Sequence, residues 1–247
     1  MCIAVFMWQA HPLYPFLLLL NRDEYHNRQA YEAGGMVERW GNIRRQRRSG
    51  RWDVAGMLET RQSGFSHKWA QSSKSPKTFA EELVKEANQY NGFNLIVADL
   101  VFKSMVYVSN RPKGEPVSIQ EVLPGIHVLS NATLNSPWPK AERLELSFKQ
   151  EVGQYSKGEI PVKEMVEKLM RDRVKADESE LPKICSPDWE FGLSSIFVEV
   201  DTPLGKYGTR STAALTVKAS GEASFYEIYL EGDIWKQHTL NYHIQKL

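Results

Sequence analysis

With 247 residues, a formal net charge of +1, 42% hydrophobic and 25% charged residues, the chain has the composition of one large globular domain or two small ones. The near-balanced charge gives no ground for a nucleic-acid or membrane-surface partner, and the longest apolar run, residues 15–20, is too short to cross a bilayer and lacks the flanks of a secretory signal. Two cysteines, Cys2 and Cys185, make neither a disulfide framework nor a zinc site alone, so a reducing, cytoplasmic compartment is expected.

CIAVFMW and PFLLLL, separated by a Pro-containing turn, read as a buried hairpin ending in the polar cluster Asn21-Arg22-Asp23-Glu24. Ser75 and Pro76 form an N-cap and first-turn pair, and Phe79, Leu83 and Ala87 share one face of a helix running to about Gln89. FNLIVADL and SMVYVSN read as two strands joined near Phe102 and Lys103, and HVLSN as a short strand ending at Asn131. Helices are expected over about 137–151 and 161–173, then a polar loop over 177–188. Strands SIFVEV, STAALTV, ASFYEIYL and IWKQHTLNYHI complete an α+β chain. One stretch departs from this pattern. Between Trp40 and Trp52 lie five arginines, no acid and one aliphatic residue, Ile43.

Four features bear on chemistry. Removal of Met1 would leave Cys2 as an N-terminal thiol beside a free α-amine, whose pKa of about 7.7–8.0 suits a general base. A small buried residue starting a strand would look the same. In NRDE, Arg22 and Asp23 are placed to pair at a strand end; an ordinary solvated ion pair is the alternative. Asn131 ends a strand before a turn, where its amide could donate to an oxyanion or merely cap the turn. In YGTRSTAAL, Gly208 allows close backbone approach, and Arg210 enters an apolar strand where it needs a partner or an exposed head.

Together MCI, NRDE, YNGFNLIVAD, SNATLNSPW and YGTR resemble the NRDE family of Transport and Golgi organisation 2 homologues, over about residues 1–38 and 74–247. The resemblance implies kinship with N-terminal-nucleophile (Ntn) hydrolases. It implies an αββα sandwich of antiparallel sheets in a single domain over 1–247, with an atypical insert-like segment at about 41–73 and part of one sheet missing or disordered. It makes Cys2 the nucleophile position, Arg22 and Asp23 the pair that cradles it, Asn131 the amide- or oxyanion-binding Asn, and Arg210 the Arg completing the pocket. It implies a role in secretory-pathway and Golgi organisation, with Golgi or mitochondrial association. No cofactor is required and no metal is implied; a small molecule, a lipid or haem is an expected cargo. Covalent haem attachment is excluded because no C-x-x-C-H is present, and His26 beside NRDE is the most suggestive axial ligand.

The family pattern also expects a Gly-rich strand pair after NRDE, which this chain lacks. Residues 41–69, recoded one nucleotide out of frame with permissible codons, read EISEGRDGVAGGTWLGCSRQGKVAFLTN, which supplies that pattern in order. Trp52-Asp53 then forces a Gly codon and Met57-Leu58 a Cys codon. Residues 41 to about 70 are therefore read as out of frame relative to the family, and 41–73 as poorly packed, leaving a sheet gap or an unpaired edge. A nucleic-acid patch is the weaker explanation of the arginines, since only Trp40 and Trp52 flank them. Two functions compete: a non-enzymatic trafficking protein, and an amidase using Cys2.

Overall fold

The computed structural model describes residues 2–28, 51–53, 72–90, 92–112 and 114–244. In chain order the elements are β1 (Ile3–Trp8), β2 (Phe16–Tyr25), β3 (Arg51–Asp53), α1 (Pro76–Glu86), β4 (Asn94–Asp99), β5 (Ser104–Ser109), β6 (Ser118–Glu121) and β7 (Gly125–Leu129). They continue as α2 (Pro139–Gln154), α3 (Val162–Leu169), α4 (Pro187–Gly192), β8 (Glu199–Thr202), β9 (Gly205–Val217), β10 (Glu222–Glu231) and β11 (Ile234–His243). The chain is α+β, with two antiparallel sheets and four helices among the described residues.

The chain divides into two compact units, residues 1–31 with 125–242, and residues 32–124 with 243–247. In the first, the strand order is β11-β10-β9-β2-β1-β7, with β8 paired to β9. Antiparallel strands alternate their side chains between faces. Ile3, Val5, Met7, Leu17 and Leu19 therefore share one face, where they pack with Leu144 and Phe148 of α2 and Met165, Val166 and Leu169 of α3. The opposite face carries an aromatic group in which Phe6 lies 5.2 Å from His127 and 6.3 Å from Phe16, ring centre to ring centre.

In the second unit the strand order is β3-β4-β5-β6. Phe79, Ala80 and Leu83 of α1 and the adjoining Ala87 pack on Leu95, Val97, Val106 and Val108. The Ser75 hydroxyl accepts the backbone N–H of Thr78 at 3.2 Å, as an N-cap should.

The out-of-frame reading and the loose packing expected over 41–73 fall outside the described residues except at 51–53, 72 and 73. There Arg51, Trp52 and Asp53 pair in register with Asp99, Ala98 and Val97. Other boundaries differ from the sequence pattern. NRDE does not end β2, which runs on to Tyr25, because Asn21 and Asp23 find hydrogen-bond partners inside the fold. The strand expected from Ser195 begins only at Glu199, and α3 stops at Leu169. The loop expected over 177–188 runs into the short helix α4, and β6 has no counterpart in the pattern because its four residues are all exposed and carry no alternation.

Candidate functional site

The strand registers bring the five residues singled out by sequence toward one end of the seven-stranded sheet. Ile3 pairs with Asn21, so the antiparallel ladder continued by one step sets Cys2 opposite Arg22. Cys2 is half-buried, and its carbonyl accepts the Ser130 hydroxyl at 2.9 Å. Asn131 follows Ser130 directly and is exposed.

Between β2 and β9 the register jumps from Arg22↔Ser211 to Asp23↔Thr209, leaving Arg210 as the extra residue of a β-bulge. The Arg210 guanidinium donates from Nη1 to the carbonyls of Tyr25 (3.1 Å) and Arg28 (2.7 Å), so it ties down the exit of β2. Gly208 supplies the close approach foreseen for it: a Cβ there would sit 2.3 Å from the Val198 carbonyl oxygen.

Arg22 and Asp23, neighbours in sequence, have different partners. Asp23 is buried, and its Oδ1 accepts the Thr209 hydroxyl at 2.8 Å. That hydroxyl oxygen accepts the Val198 N–H at 2.9 Å, so Asp23 is locked into the loop entering β8. Arg22 is the charge that acts on Glu227. No ion pair between Arg22 and Asp23 occurs among the described residues, because adjacent positions of a strand leave the sheet on opposite sides. Asn21 is wholly buried. Its amide donates to the carbonyls of Met170 (2.8 Å) and Ile196 (3.0 Å), and its oxygen accepts the Thr212 hydroxyl at 2.6 Å.

Two further groups act at this end and were not singled out. Lys140, in the first turn of α2, is 3% exposed and donates to the Leu193 carbonyl at 2.9 Å. Burial lowers its pKa, against the opposing pull of Asp23 and Cys2. Its signal in the sequence is a basic residue in a helical first turn, where the helix dipole disfavours positive charge. Burial, with Asp23 and Cys2 adding to it, raises the pKa of the half-buried Tyr207. Its ring meets Tyr25 at 5.0 Å and Trp189 at 5.2 Å. A cavity of about 20 Å³ beside Lys140, Trp138, Leu181, Glu190 and Leu193 has room for about one water.

His26 is half-buried; burial and then Arg210 lower its pKa, and its backbone N–H donates to the Lys206 carbonyl at 2.8 Å. No cluster of three or more His, Cys, Asp or Glu is placed to hold a metal among the described residues, and no described helix is long and apolar enough to cross a membrane.

Arranged in this way, the site offers a thiol, a guanidinium across from it, a buried carboxylate and a buried amine at one sheet end. The family profile described as Transport and Golgi organisation 2 matches residues 1–52 and 42–232. The chain is 26% identical over 286 residues to the mouse Transport and Golgi organization 2 homolog, covering 99% of this chain and 100% of the relative. The bovine homolog is also 26% identical, over 285 residues, with the same coverage, and the human homolog is 24% identical over 286 residues. These alignments are longer than the 247-residue chain, so the relatives carry residues that it lacks. With a match that spans nearly its whole length, the chain belongs to the Transport and Golgi organisation 2 family.

Proposed function

We propose that this chain works in transport and Golgi organisation, the role that the names of its mouse, bovine and human relatives give for those proteins. The observation that carries this reading is the family match through the strands bearing NRDE and YGTR. The scaffold in this reading is an Ntn-hydrolase-like sandwich with cytoplasmic, Golgi- or mitochondrion-associated placement. Expression in cells stripped of their own homologue tests it. Restored Golgi morphology is the expected result, and an unchanged defect overturns it. The cargo in this reading is a small molecule, a lipid or haem; titration with haem, followed by its absorption band, tests the last of these.

A second reading is favoured by the arrangement at Cys2, which comes opposite Arg22 when the ladder is continued one step past Ile3 and which acts electrostatically on Lys140 and Tyr207. Here Cys2 is an amidase nucleophile. The thiol attacks an amide carbonyl, and the C–N bond breaks as the α-amine passes the thiol proton to the leaving amine. Water then hydrolyses the thioester and restores the thiol. Asn131 donates to the oxyanion, Asp23 anchors the strand end, and Arg210 fixes the pocket wall. The reading requires an N-terminus that begins at Cys2. Intact-mass measurement showing retained Met1 removes the base and ends it. With Met1 absent, Cys2→Ala abolishes amide hydrolysis and leaves the Golgi rescue to test the first reading.

A further inference from the structure

Glu227 lies in the middle of β10 and is 0% exposed, and neither of its carboxylate oxygens accepts a hydrogen bond of normal geometry. A buried carboxyl held by no well-formed hydrogen bond is costly and calls for an explanation. The registers show what faces it. Ala4, Leu20, Ala213 and Glu227 form one cross-strand row, and Arg22, Ser211 and Tyr229 lie in the next row on the same face. Continued by one step, that second row ends at Cys2. The two residues of β9 between Arg22 and Glu227, Ser211 and Ala213, are small, so a long guanidinium side chain can lie over them toward the carboxyl. From β11, His238 brings its Nε2 to 3.7 Å from Glu227 Oε2, and that nitrogen too has no hydrogen-bond partner. The His238 ring packs against Phe225 and Tyr229.

We propose that Glu227 is a proton-controlled rival for Arg22: ionised, it draws the guanidinium over β9, and protonated, it releases that charge to the Cys2 end of the same face, where it favours a substrate bearing a carboxylate or similar anion. The consequence at Cys2 rests on the second reading above. Within this unit the polar and titratable groups facing Glu227 are Arg22 of β2, the Ser211 hydroxyl of β9, Tyr229 of its own strand and His238 of β11, with Cys2 at the far end of the row. Burial pushes the Glu227 carboxyl up to about 7, against the opposing pull of Arg22 and then of Ser211, so the release falls near neutral pH. Burial also lowers the pKa of His238, which keeps the imidazole neutral there and leaves Arg22 as the cation that answers to Glu227.

A double-mutant cycle with Arg22→Gln and Glu227→Gln, followed by urea unfolding at pH 6 and pH 8, tests the pair. The expected coupling is about tenfold in the unfolding constant at pH 8 and under about twofold at pH 6. Equal coupling at the two pH values, or none at either, overturns the proposal. A second measurement needs no Arg22 variant. In a Cys185→Ser background, the alkylation rates of Cys2 by anionic iodoacetate and neutral iodoacetamide are compared, and their ratio cancels the thiol's own ionisation. From pH 6 to pH 8 the ratio falls about threefold further with Glu227 present than in Glu227→Gln, where only the Cys2 α-amine loses its charge. A ratio that changes equally in the two proteins overturns the link to the Cys2 end. A Cys2 that neither reagent modifies sinks the amidase reading instead, and the unfolding cycle alone then decides the Arg22–Glu227 pair.

Discussion

Asn21 and Glu227 lie on opposite faces of one sheet, on strands separated only by β9, and both are wholly buried. Asn21 uses its amide twice and its oxygen once, stitching β2 to β9, to the end of α3 and to the segment before β8. Glu227 has no well-formed hydrogen bond on either oxygen, only the looser pull of Arg22 and of the Ser211 hydroxyl. The contrast separates two purposes that a buried polar residue can serve. A fully bonded one fixes geometry and has no second state. An unbonded one holds a proton that the solvent can claim or return, so its charge becomes a variable.

The largest effect is expected where the bonded face is broken. Asn21→Leu strands two carbonyls and a hydroxyl in the interior and costs about 4 kcal/mol, read by urea unfolding. A cost under about 1 kcal/mol would dissolve the contrast.

Next comes Glu227→Gln, with a sign that depends on pH. The folded chain holds the Glu227 proton up to about pH 7, whereas an unfolded carboxyl releases it near 4.5. The stability contributed by that proton is whole below pH 4.5 and is lost as pH rises through 7. Glu227→Gln therefore gains about 2.5 kcal/mol on the parent between pH 5 and pH 8. His238 runs the other way: its lowered pKa gives stability that is present above 6.5 and lost as pH falls through the folded value. Because its Nε2 lies 3.7 Å from Glu227 Oε2, its contribution is read separately by repeating the comparison in a His238→Asn background. Parallel pH–stability curves for the two would show that Glu227 does not titrate in the folded chain.

The smallest effect sharpens the bonded side. Thr209→Val removes the hydroxyl shared by Asp23 and the Val198 N–H and costs about 2 kcal/mol, measured in the same way. The cost should not vary between pH 6 and pH 8, unlike that of any change touching Glu227.

The apolar signals in the sequence translate directly into structure. CIAVFMW and PFLLLL pair as β1 and β2, and Ser75-Pro76 starts a helix, because alternation and capping are local properties. The polar signals translate less well. NRDE looks like a strand ending, yet it continues the strand, since the partners of Asn21 and Asp23 lie between 149 and 191 residues away. Nothing local announces such partners. The stretches holding Cys2, Arg22, Asp23, Asn131 and Arg210 do lie toward one end of the sheet in the registers, although Arg22, Asp23 and Arg210 sit inside their strands. Lys140 and Glu227 were overlooked although each had a mark, one a cation in a helical first turn and the other a lone acid within the apolar run ASFYEIYL. Burial turns those marks into chemistry, and burial is a property of the folded chain.

The bulge at Arg210 sets how β9 tolerates change. Swapping that arginine for another side chain removes two tethers and leaves the ladder in place. Deleting the position outright would join Thr209 to Ser211 and close the ladder, with Arg22 still opposite Ser211 and Asp23 still opposite Thr209, so the bend and the two tethers go but the alignment stays. What position 210 contributes is a guanidinium and a bend, so its identity matters more than the length of the chain at that point.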